Sequence, residues 1–265
     1  MRVTMLLDNI AAVPRLEAEH GLSLYIETEK HRILFDTGQS DAFARNAEAL
    51  GIDLAAVDIA FLSHGHYDHS GGLACFFELN DHAPVYMHSM AFEQHAHEDG
   101  RNIGVDSRLR ENPRIRFNEG SLRIDDELCL ESFNEKERPF ASHGEGLLMF
   151  LDGQPVQDDF QHEHYLSIRE AGSGKHVVIS GCSHKGILNI MDWLEPDTLI
   201  GGFHFMGLDV QGEGKAELDH AAEALAQHDC TYFTCHCTGK KQFDYLKEKL
   251  GERLHYFAGG MSVEL

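Results

Sequence analysis

Within Ser63-His64-Gly65-His66-Tyr67-Asp68-His69-Ser70-Gly71-Gly72, three histidines and one aspartate fall in six consecutive positions. Neutral imidazole nitrogens and a carboxylate oxygen on one short turn are donors suited to zinc and similar divalent cations. His64 and His66, two apart, can converge on one ion. Asp68 and His69, adjacent in the chain, point elsewhere, so using all four donors calls for a second ion about 3.5–4 Å from the first. Such a pair lowers the pKa of a shared water from near 15.7 towards about 7, giving a metal-bound hydroxide that attacks a carbonyl or phosphoryl centre at neutral pH. The chemistry expected is metal-dependent hydrolysis of a small-molecule ester, phosphoesters included, with Asp68 both holding metal and orienting the nucleophile. A plain polar surface loop is the competing reading, and the apolar strand in front of the cluster weighs against it.

The elements that must position these residues are legible on either side. Leu22 to Thr28 and Arg32 to Phe35 read as a hairpin turning at Glu29-Lys30-His31 and ending at Asp36-Thr37-Gly38. From Ser40, Phe43, Ala47 and Leu50 recur at helical spacing until Gly51. Val57 to Leu62 is a continuous apolar run, read as a buried strand that feeds the histidine cluster, with a helix from about Gly72 to Leu79 and a short strand from Pro84 to Met87 beyond it. From about Asp99 to Gln161 no helical period appears, so irregular sheet and substrate-facing loop are expected. Strands at His176 to Ser180, Thr198 to Phe203, Thr231 to Thr234 and Leu254 to Ala258 then alternate with helices at Ile187 to Leu194, Lys215 to Gln227 and Gln242 to Leu250. That rhythm predicts a layered α/β architecture. No repeat or linker divides the chain, so one domain over 1–265 is expected.

Composition narrows the function classes. Forty-four acidic against 22 basic residues give a net charge of −22, which repels phosphate backbones, so a small-molecule substrate is expected and a nucleic-acid partner is not. No apolar run approaches the roughly 18 residues of a membrane span, and the N-terminus reads as a strand and not a signal peptide. A cytoplasmic location and no membrane partner are expected. Six cysteines without an export signal argue for free thiols or metal ligands over disulfides. Nineteen histidines are far above ordinary usage, in keeping with a metal protein.

The run His64, His66, Asp68, His69 resembles, residue for residue, the His-x-His-x-Asp-His signature of the metallo-β-lactamase superfamily, and Asp36-Thr37-Gly38 resembles its first motif, whose aspartate supports the metal turn by hydrogen bonds. The resemblance implies a four-layer αββα sandwich of two mixed sheets with helices outside. It also implies that the remaining ligands come from strand ends in the second half, where the chain offers Gly181-Cys182-Ser183-His184, Gly202-Phe203-His204 and Cys235-His236-Cys237-Thr238-Gly239. Together with Lys185-Gly186-Ile187 these phrases are similar to a subgroup of metal-dependent hydrolases akin to the dihydropterin ribofuranosyl-aminobenzene phosphate synthases. On that basis His184 completes a set with His64 and His66, and His236 one with Asp68 and His69. His204 is placed near the metals as a catalytic acid, with a ligand or a buried histidine as its other readings.

The pattern departs from the superfamily at Cys182, which stands where most members carry a bridging aspartate. It either binds metal as thiolate or packs as a small apolar residue, the commoner fate of a buried cysteine. Cys235 and Cys237 flank His236 at strand period and are read as core. His88, His95, His97, His143, His162 and His164 are read as solvated or pocket-lining. Arg101, Lys185 and Lys240 are the cations that could meet an anionic substrate. Two divalent ions are expected, zinc first, with manganese, iron or nickel compatible with the donors. The competing functions are a pterin-linked carbon-transfer synthase, a non-catalytic metal-binding or sensing protein, and, last, a di-iron redox protein, for which no electron-transfer segment is present.

Overall fold

The computed structural model describes residues 1–265. Two seven-stranded sheets run through it. In spatial order the first comprises Ser262–Glu264, Arg2–Leu7, Ser23–Glu27, Arg32–Phe35, Ile59–Phe61, Val85–His88 and Ile115–Asn118. The second comprises Leu254–Tyr256, Thr231–Thr234, Thr198–Gly201, His176–Ile179, Tyr165–Arg169, Leu128–Glu131 and Leu122–Arg123. Each is antiparallel along one half and parallel along the other.

Period-two alternation divides the strands between two cores. Ile33 and Phe35 join Ile59, Phe61, Leu166, Val177, Ile179 and Ile200 in the layer between the sheets. Leu34, between them in sequence, faces outward to Phe43, Ala47 and Phe76 of the helices Ala42–Leu50 and Leu73–Leu79. On the far side, Val178 and Leu199 pack under Ile187–Leu194, Gly214–Leu225 and Lys240–Leu250. These layers are helix, sheet, sheet, helix, as the resemblance implied.

Helices Ile187–Leu194 and Ala42–Leu50 and strand Thr231–Thr234 fall where their periodicity put them. The segment from 99 to 161 is more regular than its sequence suggests. It carries Ile115–Asn118, Leu122–Arg123 and Leu128–Glu131 into the two sheets, while Leu147–Leu151 pairs with Gln154–Gln157 and His95–His97 in a separate three-stranded sheet. Gln154–Gln157 is exposed throughout, so no burial imposes alternation on it.

At the end of the sandwich away from the histidines, His31 links the sheets: its Nδ1 lies 2.9 Å from Asp58 and its Nε2 2.8 Å from Asp125. Burial alone would lower its pKa, but the hydrogen bonds and charges of Asp125 and Asp58 outweigh it and raise it. Asp125, against its own partial burial, is held down to about 2 by His31 and the N–H groups of Leu128 and Glu127. The raised histidine stabilises fully below its ordinary 6.5 and loses that contribution as pH climbs through the raised value. The depressed aspartate contributes above 3.8 and loses it as pH falls towards 2. His31→Gln is therefore expected to cost about 0.5–1 kcal/mol, the range of solvent-screened pairs. In denaturant titrations the deficit should be largest near pH 4–6.5 and shrink above that.

Candidate metal centre

The histidine cluster and the strand-end residues of the second half sit just beyond the C-terminal ends of strands in the parallel half of a sheet. Arg32–Phe35 delivers Asp36, Ile59–Phe61 delivers His64, His176–Ile179 delivers Cys182 and His184, Thr198–Gly201 delivers His204, and Thr231–Thr234 delivers His236. Parallel strands end on the same side, so both sheets empty their loops into one crevice. The backbone there is bent hard. Asp36, Phe160, Ser183, His204 and His236, all non-glycine, adopt φ between 48° and 59°, a conformation retained mainly where surrounding structure enforces it.

The protons on the rings can be followed from bond to bond. Asp36 Oδ1 accepts the Ser63 N–H at 2.7 Å, and its Oδ2 takes the Ser63 hydroxyl at 2.7 Å and His69 Nδ1 at 2.6 Å. The Ser63 hydroxyl proton is thus committed to Asp36, so His64 Nδ1, 2.8 Å from Ser63 Oγ, must be the donor there. That leaves His64 Nε2 a bare lone pair, buried and without a partner. On the opposite wall His236 Nδ1 donates to Asn9 Oδ1 at 2.8 Å, which turns its Nε2 towards His69 Nε2 and Asp68 Oδ2, each 3.3 Å away.

Two sets of donors result. His64, His66 and His184 bring one ligand atom each within 4.8 Å of one another, and neither nitrogen of the buried His184 has a partner. Burial first, and then neighbouring imidazoles, pushes all three well below the usual histidine range, which keeps them neutral. In the second set His69 Nε2 lies 3.3 Å from His236 Nε2, 3.2 Å from Cys182 Sγ and 3.8 Å from Asp68 Oδ2, and Asp68 Oδ2 is 3.3 Å from His236 Nε2. Donors bound at about 2.0–2.3 Å at the corners of a tetrahedron stand roughly 3.3–3.8 Å apart. Two imidazole lone pairs at 3.3 Å repel unless something positive lies between. A proton satisfies one such pair, whereas a cation satisfies all four atoms. Burial would raise Asp68, but His69, His20 and His236 outweigh it and hold it well below the carboxylate range. The donor sets fit divalent cations.

Cys182 is buried at the cavity wall. Its ligand atom belongs to a group with His64 and His69, to another with His184 and His204, and to a third with His236 and Cys237, so it stands between the two sets. Cys235 is core, as expected, but Cys237 lines the cavity. The strand stops at Thr234 and the left-handed turn at His236 breaks the alternation that would have turned Cys237 inward. His88, His95, His162 and His164 are buried, not solvated, and none lines the cavity; His97 does. Lys185 cannot meet a substrate, because its buried ammonium donates to Ser132 O, Asn134 Oδ1 and Glu163 O. Lys240 lines a separate groove, and Arg101 alone of the three faces the cavity.

Three residues of the site carried no signal of their own. The loop after Arg2–Leu7 supplies Asp8, whose Oδ1 accepts the His236 N–H at 2.7 Å, Asn9, and His20, whose Nε2 lies 3.2 Å from Asp68 Oδ2. Their roles depend on the first strand in one sheet ending against the end of Thr231–Thr234 in the other, which no local pattern shows.

Residues 16–153 match the family model of the metallo-beta-lactamase superfamily. The chain belongs to that superfamily. This superfamily chain is 30% identical over 271 residues to the 7,8-dihydropterin-6-methyl-4-(beta-D-ribofuranosyl)-aminobenzene-5'-phosphate synthase of Methanocaldococcus jannaschii, covering 90% of this chain and 88% of that one. An uncharacterized protein of the same organism is 29% identical over 256 residues, 93% of this chain and 94% of the other. Among solved structures, Tm1679, a metal-dependent hydrolase of the beta-lactamase superfamily, aligns with a TM-score of 0.84 and 30% identity over 100% of this chain and 99% of that one. YhfI of Bacillus subtilis shares the fold at a TM-score of 0.59 and 13% identity, over 99% of each chain. No helix is long and apolar enough to cross a membrane.

Proposed function

We propose that this superfamily member is a metal-dependent hydrolase of small anionic esters, phosphoesters included. The carrying observation is the convergence of buried donor atoms, unpartnered in the first set and crowded at 3.2–3.8 Å in the second, from opposite walls of one cavity. His64, His66 and His184 would hold one divalent ion and Asp68, His69, His236 and Cys182 the other, with zinc first in order of expectation. Held there, such ions supply Lewis acidity and a nucleophilic water at neutral pH.

The chain does the rest. His20 donates to Asp68 and keeps that carboxylate turned towards His236. His204 lines the cavity with its Nδ1 unpartnered, where it can carry a proton to the leaving group. His204→Gln is expected to lower kcat about 10²-fold for substrates with basic leaving groups and much less for nitrophenyl esters; equal losses on both would remove the residue from that role. The cavity is about 210 Å³, below the roughly 300–1,000 Å³ of sites that enclose drug-sized ligands, so it takes the reacting end of a substrate. Arg101 and His97 stand at its wall in a strongly acidic chain. Arg101→Ala should raise KM for phosphate- or carboxylate-bearing substrates about tenfold and leave neutral esters unchanged.

The test is a panel of chromogenic phosphomonoesters, diesters, lactones and thioesters assayed after chelation and ion-by-ion restoration. Silence on every class with any ion contradicts hydrolysis. The likeness to the synthase favours a second reading, carbon transfer from a pterin donor using the same cations to stabilise an anion. Product analysis with a pterin donor distinguishes the two.

A further inference from the structure

Behind His66, away from the cavity mouth, lies a group of side chains that the hydrolytic reading does not use. His95, Asp158 and His162 are all buried, with the rings of His95 and His162 tilted by 49° at 4.3 Å between centroids and His162 5.5 Å from His66. Asp158 Oδ2 is 2.9 Å from His95 Nδ1 and 3.1 Å from His162 Nε2, while its Oδ1 accepts the Phe160 N–H at 2.8 Å. The other nitrogen of His162, Nδ1, accepts the N–H of Gly65 at 2.9 Å.

That last bond fixes the ring. A histidine that accepts at Nδ1 carries its proton at Nε2, and Asp158 is there to receive it. Although His66, His95, Asp158 and His162 lie close enough together to suggest a further cation site, His162 then has no lone pair left to give one. The network is committed to the protein, and its connection to the metal turn is the Gly65 N–H between His64 and His66.

Gly65 has no other freedom. A Cβ there would sit 2.4 Å from Ala91 O, in the same turn, Ser89–Phe92, whose Met90 O faces His95 Nε2 at 3.3 Å. The segment that carries Asp158 and His162 also stacks Phe160 on His184 at 4.3 Å and 6°, and His164 N donates to Ser63 O at 2.7 Å. One stretch thus touches the supports of all three donors of the first set. We propose that His162, oriented by Asp158, is a positioning residue that fixes the His64-Gly65-His66 backbone for the first cation. The inference rests on the metal reading given above.

The ring's acceptor nitrogen, not its volume, is what matters, and two substitutions separate these. His162→Asn places an amide oxygen where Nδ1 stands and leaves space beyond it; His162→Leu fills the space and accepts nothing. Zinc binding to the chelated full-length chain, read by competition with a chromogenic chelator, should give two ions for the wild type. His162→Leu should keep one and bind the other at least tenfold more weakly, as when a bond supporting a ligand is lost. His162→Asn should stay within about threefold of wild type at both. Should the leucine variant fail to fold, Asp158→Asn makes the same comparison without changing volume: its amide forces the Nε2 proton of His162 onto Nδ1, against the Gly65 N–H, and the same tenfold loss is expected. Leucine binding like wild type, asparagine weakening as much as leucine, or Asp158→Asn leaving both sites intact would each overturn the proposal. A wild-type chain that binds no zinc overturns the metal reading and this inference with it, whereas two sites unaffected by the variants overturn this inference alone.

Discussion

Alanine at His66 or Asp68 is expected to reduce turnover at least about a thousandfold while the chain stays folded. Each substitution removes one donor from a different set, and losing a held cation forfeits several kcal/mol of transition-state stabilisation, with about 1.36 kcal/mol per factor of ten. The turn itself does not depend on these side chains. Leu22 N–H donates to Asp68 O at 3.2 Å, Thr37 N–H to His69 O at 2.7 Å and Gly71 N–H to Gly38 O at 2.8 Å. Circular dichroism should therefore be unchanged while steady-state rates collapse on whichever substrate class proves active. Wild-type rates in either variant contradict the scheme.

The second large effect is expected from a single exchange of oxygen for nitrogen. Asp36→Asn keeps the side chain's shape, and asparagine tolerates the left-handed backbone at φ 58 better than most residues. The retained oxygen can still accept the Ser63 N–H, but an amide NH2 then faces Ser63 Oγ and His69 Nδ1. His69 must accept at Nδ1 and carry its proton at Nε2, which ends its use as a donor to a cation. Ser63, no longer able to donate to position 36, turns its proton to His64 Nδ1, and His64 Nε2 is protonated in its turn. One atom thus disables a ligand in each set. Zinc affinity is expected to fall by 10–100-fold or more at both sites, with thermal stability of the metal-free chain changed far less. Isothermal titration checks it, and a loss confined to one site would show that the Ser63 link does not operate.

Much of this was legible before any coordinates because the relevant physics is local. Val57 to Leu62 had to be a buried strand, so the cluster after it had to emerge at a strand end. The histidines at 184, 204 and 236 each followed another strand, and parallel strands end on one side. What escaped depends on contacts between distant segments. Cys237 reaches the cavity because His236 takes a left-handed turn, which strand periodicity cannot foresee. Lys185 is buried because Ser132, Asn134 and Glu163 surround it, and a lysine next to His184 gives no hint of that in sequence. His95 and His162 are 67 positions apart and meet only in the folded chain, beside Asp158. Asp8, Asn9 and His20 lie in a loop whose composition is ordinary.

The claim on which all this depends is that the cluster at 64–69 and the strand-end residues of the second half grip two cations. Anomalous diffraction from crystals of the zinc-loaded chain, recorded on either side of the zinc edge, addresses it directly. Two peaks are expected, one against His64, His66 and His184 and the other against Asp68, His69, His236 and Cys182. A map with no peak there, or with zinc only on surface histidines such as His82, would contradict it.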